Sequence, residues 1–389
     1  MQILEKQWEE AGGGSGGSSR SSSQRKSKHI ILGIDGTWQA AFRDPFQSNV
    51  HRLNVALNYE DNTDNHNPQI FIYSAGVGTN NRSSQIIAGA TGEGLGSIIL
   101  EAYINLASNY VPGDKIYIFG FSRGAFAARA LTGFISYSGL LKANSLSLTE
   151  QAWRHFTDPK GADFNYPEQK ADATHKKVEV EFLGVWDTVA GPYKKQEVME
   201  KFRFKHLKLD PIVKCGVHIL SIDESRGDYE PVLWNGPSRD GQTLEQIWMP
   251  GVHADIGGGY SEAFLSTTSL LVMIDKLHEH CLDLSFDTNY IEETLLDIIE
   301  KQDPIVNNER TGFWKYFGRS LLRRIESTEH HKQHPIVELL RQRQIVYKSR
   351  QKAYSPSFLA PAGTLKIAEF GSISCHTSKV MSILTRRLS

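Results

Sequence analysis

The chain has 389 residues, 40% of them apolar and 22% charged, with a formal net charge of −1. That length and balance allow a packed core in one large domain or two ordinary ones, and exclude a binder drawn to nucleic acid by bulk charge. No apolar run approaches the ~20 residues of a spanning helix, and the three scattered cysteines, Cys215, Cys281 and Cys375, offer neither zinc spacing nor a disulfide framework.

The first segment, Met1 to Ala11, is charged and lacks the apolar core of a secretory signal. It runs into Ala11-Gly-Gly-Gly-Ser-Gly-Gly-Ser-Ser19, a flexible linker by composition, and then a Ser, Arg and Lys stretch to Lys28. Residues 1–28 are therefore read as a tail outside the fold. Residues 29–389 are read as one domain whose last part, about 285–389, forms a helical or lid segment. The cysteine usage fits a protein that is cytoplasmic as made.

His29-Ile-Ile-Leu-Gly-Ile34 reads as a buried strand that delivers Asp35-Gly36-Thr37-Trp38 to its carboxyl end. Asp61 to Pro68 is a loop by its turn residues, and Ile70 to Tyr73 is a second strand followed by Gly76-Val-Gly-Thr79. No Gly-Lys-Ser/Thr follows these glycines, which excludes a phosphate loop. Ile86 to Tyr110 becomes helical, with Leu95, Ile98, Ile99, Ala102 and Leu106 at helical spacing.

The next stretch, Lys115 to Arg129, joins an apolar strand to a small-residue helix through Gly120-Phe-Ser122-Arg-Gly124. This G-x-S-x-G pattern turns a strand sharply into a helix with a serine at the apex, its hydroxyl above the sheet at the positive helix end. Residues 141–176 read as an excursion over the active face. Val178 to Trp186 is a strand that ends in Asp187-Thr-Val189; Cys215 to Leu220 and Glu245 to Trp248 are two more. The last of these leads into Gly251-Val-His253-Ala-Asp255-Ile-Gly-Gly-Gly-Tyr260, and Leu265 to His280 is an amphipathic helix. Near the end, Phe313-Trp-Lys-Tyr-Phe317 with Arg319, Leu321, Leu322, Arg323 and Arg324 combines aromatics with cations, which suits a lipid interface, or equally a lid or core helix with solvated arginines.

Open α/β sheets carry their sites at the carboxyl ends of the strands. Ser122, Asp187 and His253 appear there in the chain order of an α/β-hydrolase triad. In that reading His253 takes the Ser122 proton, Asp187 holds the imidazole, and the backbone N–H of Arg123 and an N–H of the Asp35–Thr37 turn, at Asp35 or Gly36, receive the oxyanion. Asp255 is the rival acid and His218 the rival base, the latter read as a core histidine inside a strand. His155, His206, His330 and His331 are read as surface residues. No catalytic metal and no cofactor is expected.

Gly120 to Arg129, together with Asp35-Gly-Thr-Trp38, Gly76-Val-Gly-Thr79, Gly184-Val-Trp-Asp187-Thr-Val189 and Gly251 to Tyr260, resembles an α/β-hydrolase domain family that includes phospholipase effectors of the bacterial type VI secretion system. The resemblance covers about residues 29–265, five motifs in order. It implies an α/β-hydrolase fold with a mostly parallel sheet, helices on both faces and insertions over the active face. It also implies the triad Ser122, Asp187 and His253 acting on phospholipid acyl esters, contact with a membrane surface, and, for an exported effector, a secretion-apparatus or immunity partner. A soluble carboxylesterase and a non-catalytic interaction module are the alternatives.

Overall fold

The computed structural model describes residues 26–388, apart from 37–38, 40–45, 61–66, 77–92, 159–165, 192–194, 205–206, 282, 310–318, 326–327, 342, 348–349, 357–364 and 371–374. Most of the tail, Thr37 and Trp38, the Asp61 loop, the turn after Gly76, His206 and the Phe313–Phe317 cluster thus lie outside the described residues.

Six long strands form the body of the sheet: β1 (His29–Ile34), β2 (Gln69–Ser74), β3 (Lys115–Phe121), β4 (Val180–Trp186), β5 (Val213–Ser221) and β6 (Thr243–Met249). Short strands follow: β7 (Ile305–Val306), β8 (His331–Gln333), β9 (Gln344–Tyr347), β10 (Arg350–Ala353) and β11 (Lys366–Ile367). The central sheet has eight strands in the order β11-β8-β6-β5-β4-β3-β1-β2, and every pairing in it is parallel. β7, β9 and β10 make a separate three-stranded sheet. This is the α/β fold expected from the sequence.

A parallel sheet with helices on both faces buries both sides of each strand, so its strands are apolar throughout. In β3, Tyr117, Phe119 and Phe121 face one core, while Ile116 and Ile118 face the other. The first core is closed by helices Asn49–Ala56 and Phe264–His280, the second by helices Glu93–Asn109 and Arg123–Ser138. The helix read from Ile86 onward is seen from Glu93 among the described residues.

The strand order reverses beside β1, whose two neighbours are β2 and β3. Such a switch point opens a crevice at the carboxyl ends of the strands. Register sets the level: Ile34 lies opposite Gly120, Phe121 opposite Trp186, and Trp186 opposite Ile219. The next residues, Asp35, Ser122 and Asp187, therefore leave the sheet at the same rim.

Two short strands from the C-terminal hundred residues, β8 and β11, extend this sheet beyond β6. That part of the chain is thus partly built into the central layer.

Candidate active site

Ser122 sits between β3 and the helix Arg123–Ser138 with φ 58° and ψ −125°. This backbone region is costly for any residue but glycine. Its neighbours explain how the turn is held. A Cβ on Gly120 would lie 2.5 Å from the Gly124 carbonyl oxygen, and one on Gly124 would lie 2.2 Å from that of Ile34. Only glycine permits this close strand–helix approach. Ser122 donates its N–H to Trp186 O (3.0 Å) and accepts the Val189 N–H on its carbonyl (3.3 Å), which fixes it beside Asp187. Its hydroxyl does not cap the helix it precedes.

Asp187 follows β4 with φ 39° and is wholly buried. Its Oδ1 accepts the Ser221 N–H at 3.2 Å. Its Oδ2 accepts the Ser221 hydroxyl at 3.2 Å, His253 Nδ1 at 2.6 Å and Arg323 Nη2 at 2.8 Å. Burial alone would raise its pKa. The Arg323 charge and the His253 contact outweigh burial and hold the carboxyl well below the usual carboxylate range.

His253 opens the short helix His253–Gly257, after the glycine turn that leaves β6. Its ring packs on Phe121 at 4.7 Å and meets the edge of Tyr229 at 4.8 Å. The Phe121 contact places the ring directly above the residue that precedes Ser122. Because the carboxylate can only accept, Nδ1 carries the proton, and Nε2 is left as the basic nitrogen. Nε2 is buried and makes no hydrogen bond. The structure joins His253 to Asp187 and does not hydrogen-bond it to Ser122.

The two rivals have other work. Asp255 accepts the N–H groups of Val252 (2.9 Å) and Asn307 (3.0 Å) and the Asn307 amide (2.7 Å), so it braces the histidine loop. Burial pushes its pKa up to about 7. His218 lies inside β5 and accepts the Thr188 N–H at 3.0 Å from beneath the sheet rim, its pKa pushed well down by burial.

One expectation needs correction, and the turn read as an oxyanion donor has partners of its own, with Thr37 outside the described residues. Asp35 donates its N–H to Ser74 O (2.9 Å), and Gly36 donates to the Asp35 carboxylate at 2.7 Å. The Asp35 N–H is thus held by the end of β2 and the Gly36 N–H by its own turn, and Gly36 lies against the serine, 3.3 Å from its would-be Cβ to Ser122 Cβ. Asp35 instead gathers the Ser48 hydroxyl (2.6 Å) and the Tyr73 hydroxyl (2.7 Å), tying β1 to β2. Arg123 is the first residue of its helix, where N–H groups point out along the axis. The correction concerns His331, which is no surface residue: it is buried between Gln246 (2.7 Å) and the Trp248 indole N–H (3.1 Å).

Several residues at the site carry little signal in the sequence. Glu224 is buried, accepts the His253 N–H at 3.3 Å and pairs with Arg226 at 2.7 Å. Arg226 also pairs with Glu309 at 2.8 Å. Asp223 accepts the Gly251 N–H (2.8 Å) and the Tyr354 hydroxyl (2.9 Å). Arg323, read as part of a cationic surface segment, is buried at Asp187.

Among the described residues, two groups of side chains have ligand atoms within 4.8 Å of one another: Asp275, His278 and His376, and Glu245, Glu279 and His280. Both oxygens of Asp275 are taken by donors of His376 and Thr377, and Glu245 is paired with Lys276 and Lys332. Among the described residues no helix is long and apolar enough to cross a membrane.

The family model for the catalytic domain of Tle1-like phospholipase effectors of the type VI secretion system matches residues 28–276. An uncharacterized protein of Saccharomyces cerevisiae is 28% identical over 231 residues, 53% of this chain and 33% of that protein. An uncharacterized protein from Pseudomonas aeruginosa, known from a crystal structure, is 20% identical with a TM-score of 0.41, over 69% of this chain and 49% of that one. A Tle1 effector solved bound to the VgrG spike of the type 6 secretion system is 22% identical with a TM-score of 0.37, over 61% of this chain and 52% of that one. The chain thus spans about a third to a half of the length of these relatives.

Proposed function

Because the chain belongs to the family of Tle1-like phospholipase effector catalytic domains, we propose that it hydrolyses acyl esters of phospholipids, with Ser122 as nucleophile, His253 as general base and Asp187 as the group that orients the imidazole. The observation that carries this reading is the 2.6 Å contact between His253 Nδ1 and Asp187 Oδ2, beside a serine at a glycine-bounded turn.

The chemistry follows from these positions. His253 Nε2 removes the Ser122 hydroxyl proton as the oxygen attacks the ester carbonyl carbon. Asp187 stabilises the imidazolium that forms and remains ionised. The oxyanion is received at the positive end of the helix that starts at Arg123. The imidazolium then protonates the leaving alkoxide, which departs as a lysolipid. Water, deprotonated by the same imidazole, cleaves the acyl-serine and releases a fatty acid. For the first step Nε2 must close on Oγ; such hydrogen bonds are often long before substrate binds and tighten in the complex.

The family context adds partners to the proposal: a phospholipid surface as substrate, and a secretion-apparatus component for an exported effector. The test is fatty-acid release from phosphatidylethanolamine and phosphatidylcholine vesicles by wild type and Ser122→Ala, with a fluorophosphonate probe and mass spectrometry to locate the adduct. Release that depends on Ser122, and an adduct on Ser122 that His253→Ala abolishes, are expected. Cleavage of short soluble esters alone would turn the reading to a carboxylesterase. Failure of the probe to label Ser122 would end it.

A further inference from the structure

The C-terminal third, beyond the family match at residue 276, reaches back to the rim of the sheet. Residues 319–321 pair with the segment after β5, and 322–325 continue from them. Gly227 donates to Arg319 O (2.8 Å), Leu321 donates to Ser225 O (3.0 Å), and Ser320 bridges Arg226 antiparallel. In this strap Ser320, Leu322 and Arg324 are exposed, while Arg323 and Ile325 are buried. Alternation of this kind is what an extended segment with one wet side produces. It sends Arg323 inward to Asp187.

The contact falls on a particular atom. Arg323 Nη2 donates to Oδ2 at 2.8 Å, the same oxygen that receives His253 Nδ1 at 2.6 Å. The Arg323 side chain is 1% exposed, so water does not screen its charge. Its Nη1 is buried without a hydrogen bond, so Asp187 is its only anionic hydrogen-bond partner among those described.

We infer that Arg323 is a positioning residue for the Asp187–His253 pair, holding Asp187 by the oxygen that serves the imidazole. The inference rests on the triad reading above. It has two consequences of opposite sign. The planar guanidinium fixes the carboxylate orientation, which keeps the imidazole aimed. The same positive charge, one oxygen away from the ring, disfavours a second positive charge there, so it sets how readily the imidazole accepts a proton. The other groups that face the ring are Asp187 itself, Phe121 from β3, Tyr229 and Glu224 from the segment after β5, and Glu309 from the segment after β7. Glu224 and Glu309 are both paired with Arg226, and Glu224 also feels the Arg323 charge; among the described residues Arg323 is the cation hydrogen-bonded to Asp187.

The experiment uses the full chain labelled with nitrogen-15 histidine. The pH titration of the His253 ring is followed by NMR in the Ser122→Ala background, with and without Arg323→Met, and with Arg323→Lys. The kcat/KM profile against pH is measured in the Ser122 forms. Arg323→Met should move the ring titration and the lower limb of the profile upward, because it removes a positive charge beside the ring. It should lower kcat about tenfold with KM within about twofold. Arg323→Lys, which keeps the charge and loses the fork, should return the limb to the wild-type position and recover part of the rate. Where Arg323→Met does not fold, Arg323→Gln reads the same limb, since it keeps a donor and drops the charge. A ring titration unchanged on removal of the charge overturns the inference, whatever happens to the rate. Absence of Ser122-dependent turnover in the wild type would instead remove the esterase reading, and the ring titration would still decide the role of Arg323.

Discussion

Arg323 and Asp187 form an ion pair in which neither side chain reaches solvent, with side-chain exposures of 1% and 0%. Amidation of Asp187 strands a buried cation. Asp187→Asn is expected to destabilise the fold by ~3–5 kcal/mol, the usual cost of breaking one side of a buried pair. Turnover should fall by roughly 10⁴, as the wrong imidazole tautomer is then favoured. The double variant Asp187→Asn/Arg323→Met should regain most of the stability and none of the activity. Urea denaturation of the three forms checks this.

The serine itself is strained. At φ 58° and ψ −125° a side chain is disfavoured and glycine is not. Ser122→Gly and Ser122→Ala should both abolish turnover, yet Ser122→Gly should be the more stable by ~1–2 kcal/mol. Equal melting temperatures for the two variants would show that the elbow stores no such strain.

Two buried carboxyl groups set opposite pH slopes. Asp255 is raised from 3.8 to about 7, because burial outweighs its N–H donors. Folded chains hold its proton between about pH 4 and 7 while unfolded chains have lost it, so this contribution to stability falls as pH rises through that window. Glu245 is lowered from 4.5 to about 2 because His280, Lys276 and Lys332 together outweigh burial. Its contribution is present above about pH 4.5 and lost as pH falls toward 2. Asp255→Asn should therefore flatten the decline between pH 4 and 7, and Glu245→Gln the rise below pH 4.5. Denaturation midpoints across pH 3–8 measure both.

Which features were legible in the sequence follows from how they are built. Gly120 and Gly124 could be read because a close strand–helix approach admits no other residue. Asp187 stood out because the largely apolar strand β4 ends directly before it, and His253 because a glycine-rich stretch follows the end of β6. β8 and β11 were not legible, since strands of three and two residues have no period to detect. The engaged Gly36 N–H could not be foreseen either: an Asp-Gly turn reads the same whether or not the aspartate folds back on the next amide. Arg323 was hidden for a related reason. It stands among Leu321, Leu322 and Arg324, where composition suggests a wet basic face, and only the pairing of residues 319–321 with 225–227 shows which arginine turns inward.

Chelation should leave both the rate and the melting temperature unchanged. The proposed chemistry draws its nucleophile, base and charge stabilisation from side chains and backbone. The carboxylates of the two ligand-spaced groups are already satisfied by ammonium, imidazole or Thr377 donors. Activity and thermal melts with and without EDTA, alongside metal analysis of the purified protein, measure this; a drop in either would point to an ion at one of those groups.

The braces on the rim come late in the chain. Asn307 holds Asp255, Glu309 holds Arg226, Arg323 holds Asp187 and Tyr354 holds Asp223. A ribosome synthesises the serine, the aspartate and the histidine well before any of these four partners. The nascent polypeptide thus carries Ser122, Asp187 and His253 without these braces until the closing hundred residues emerge.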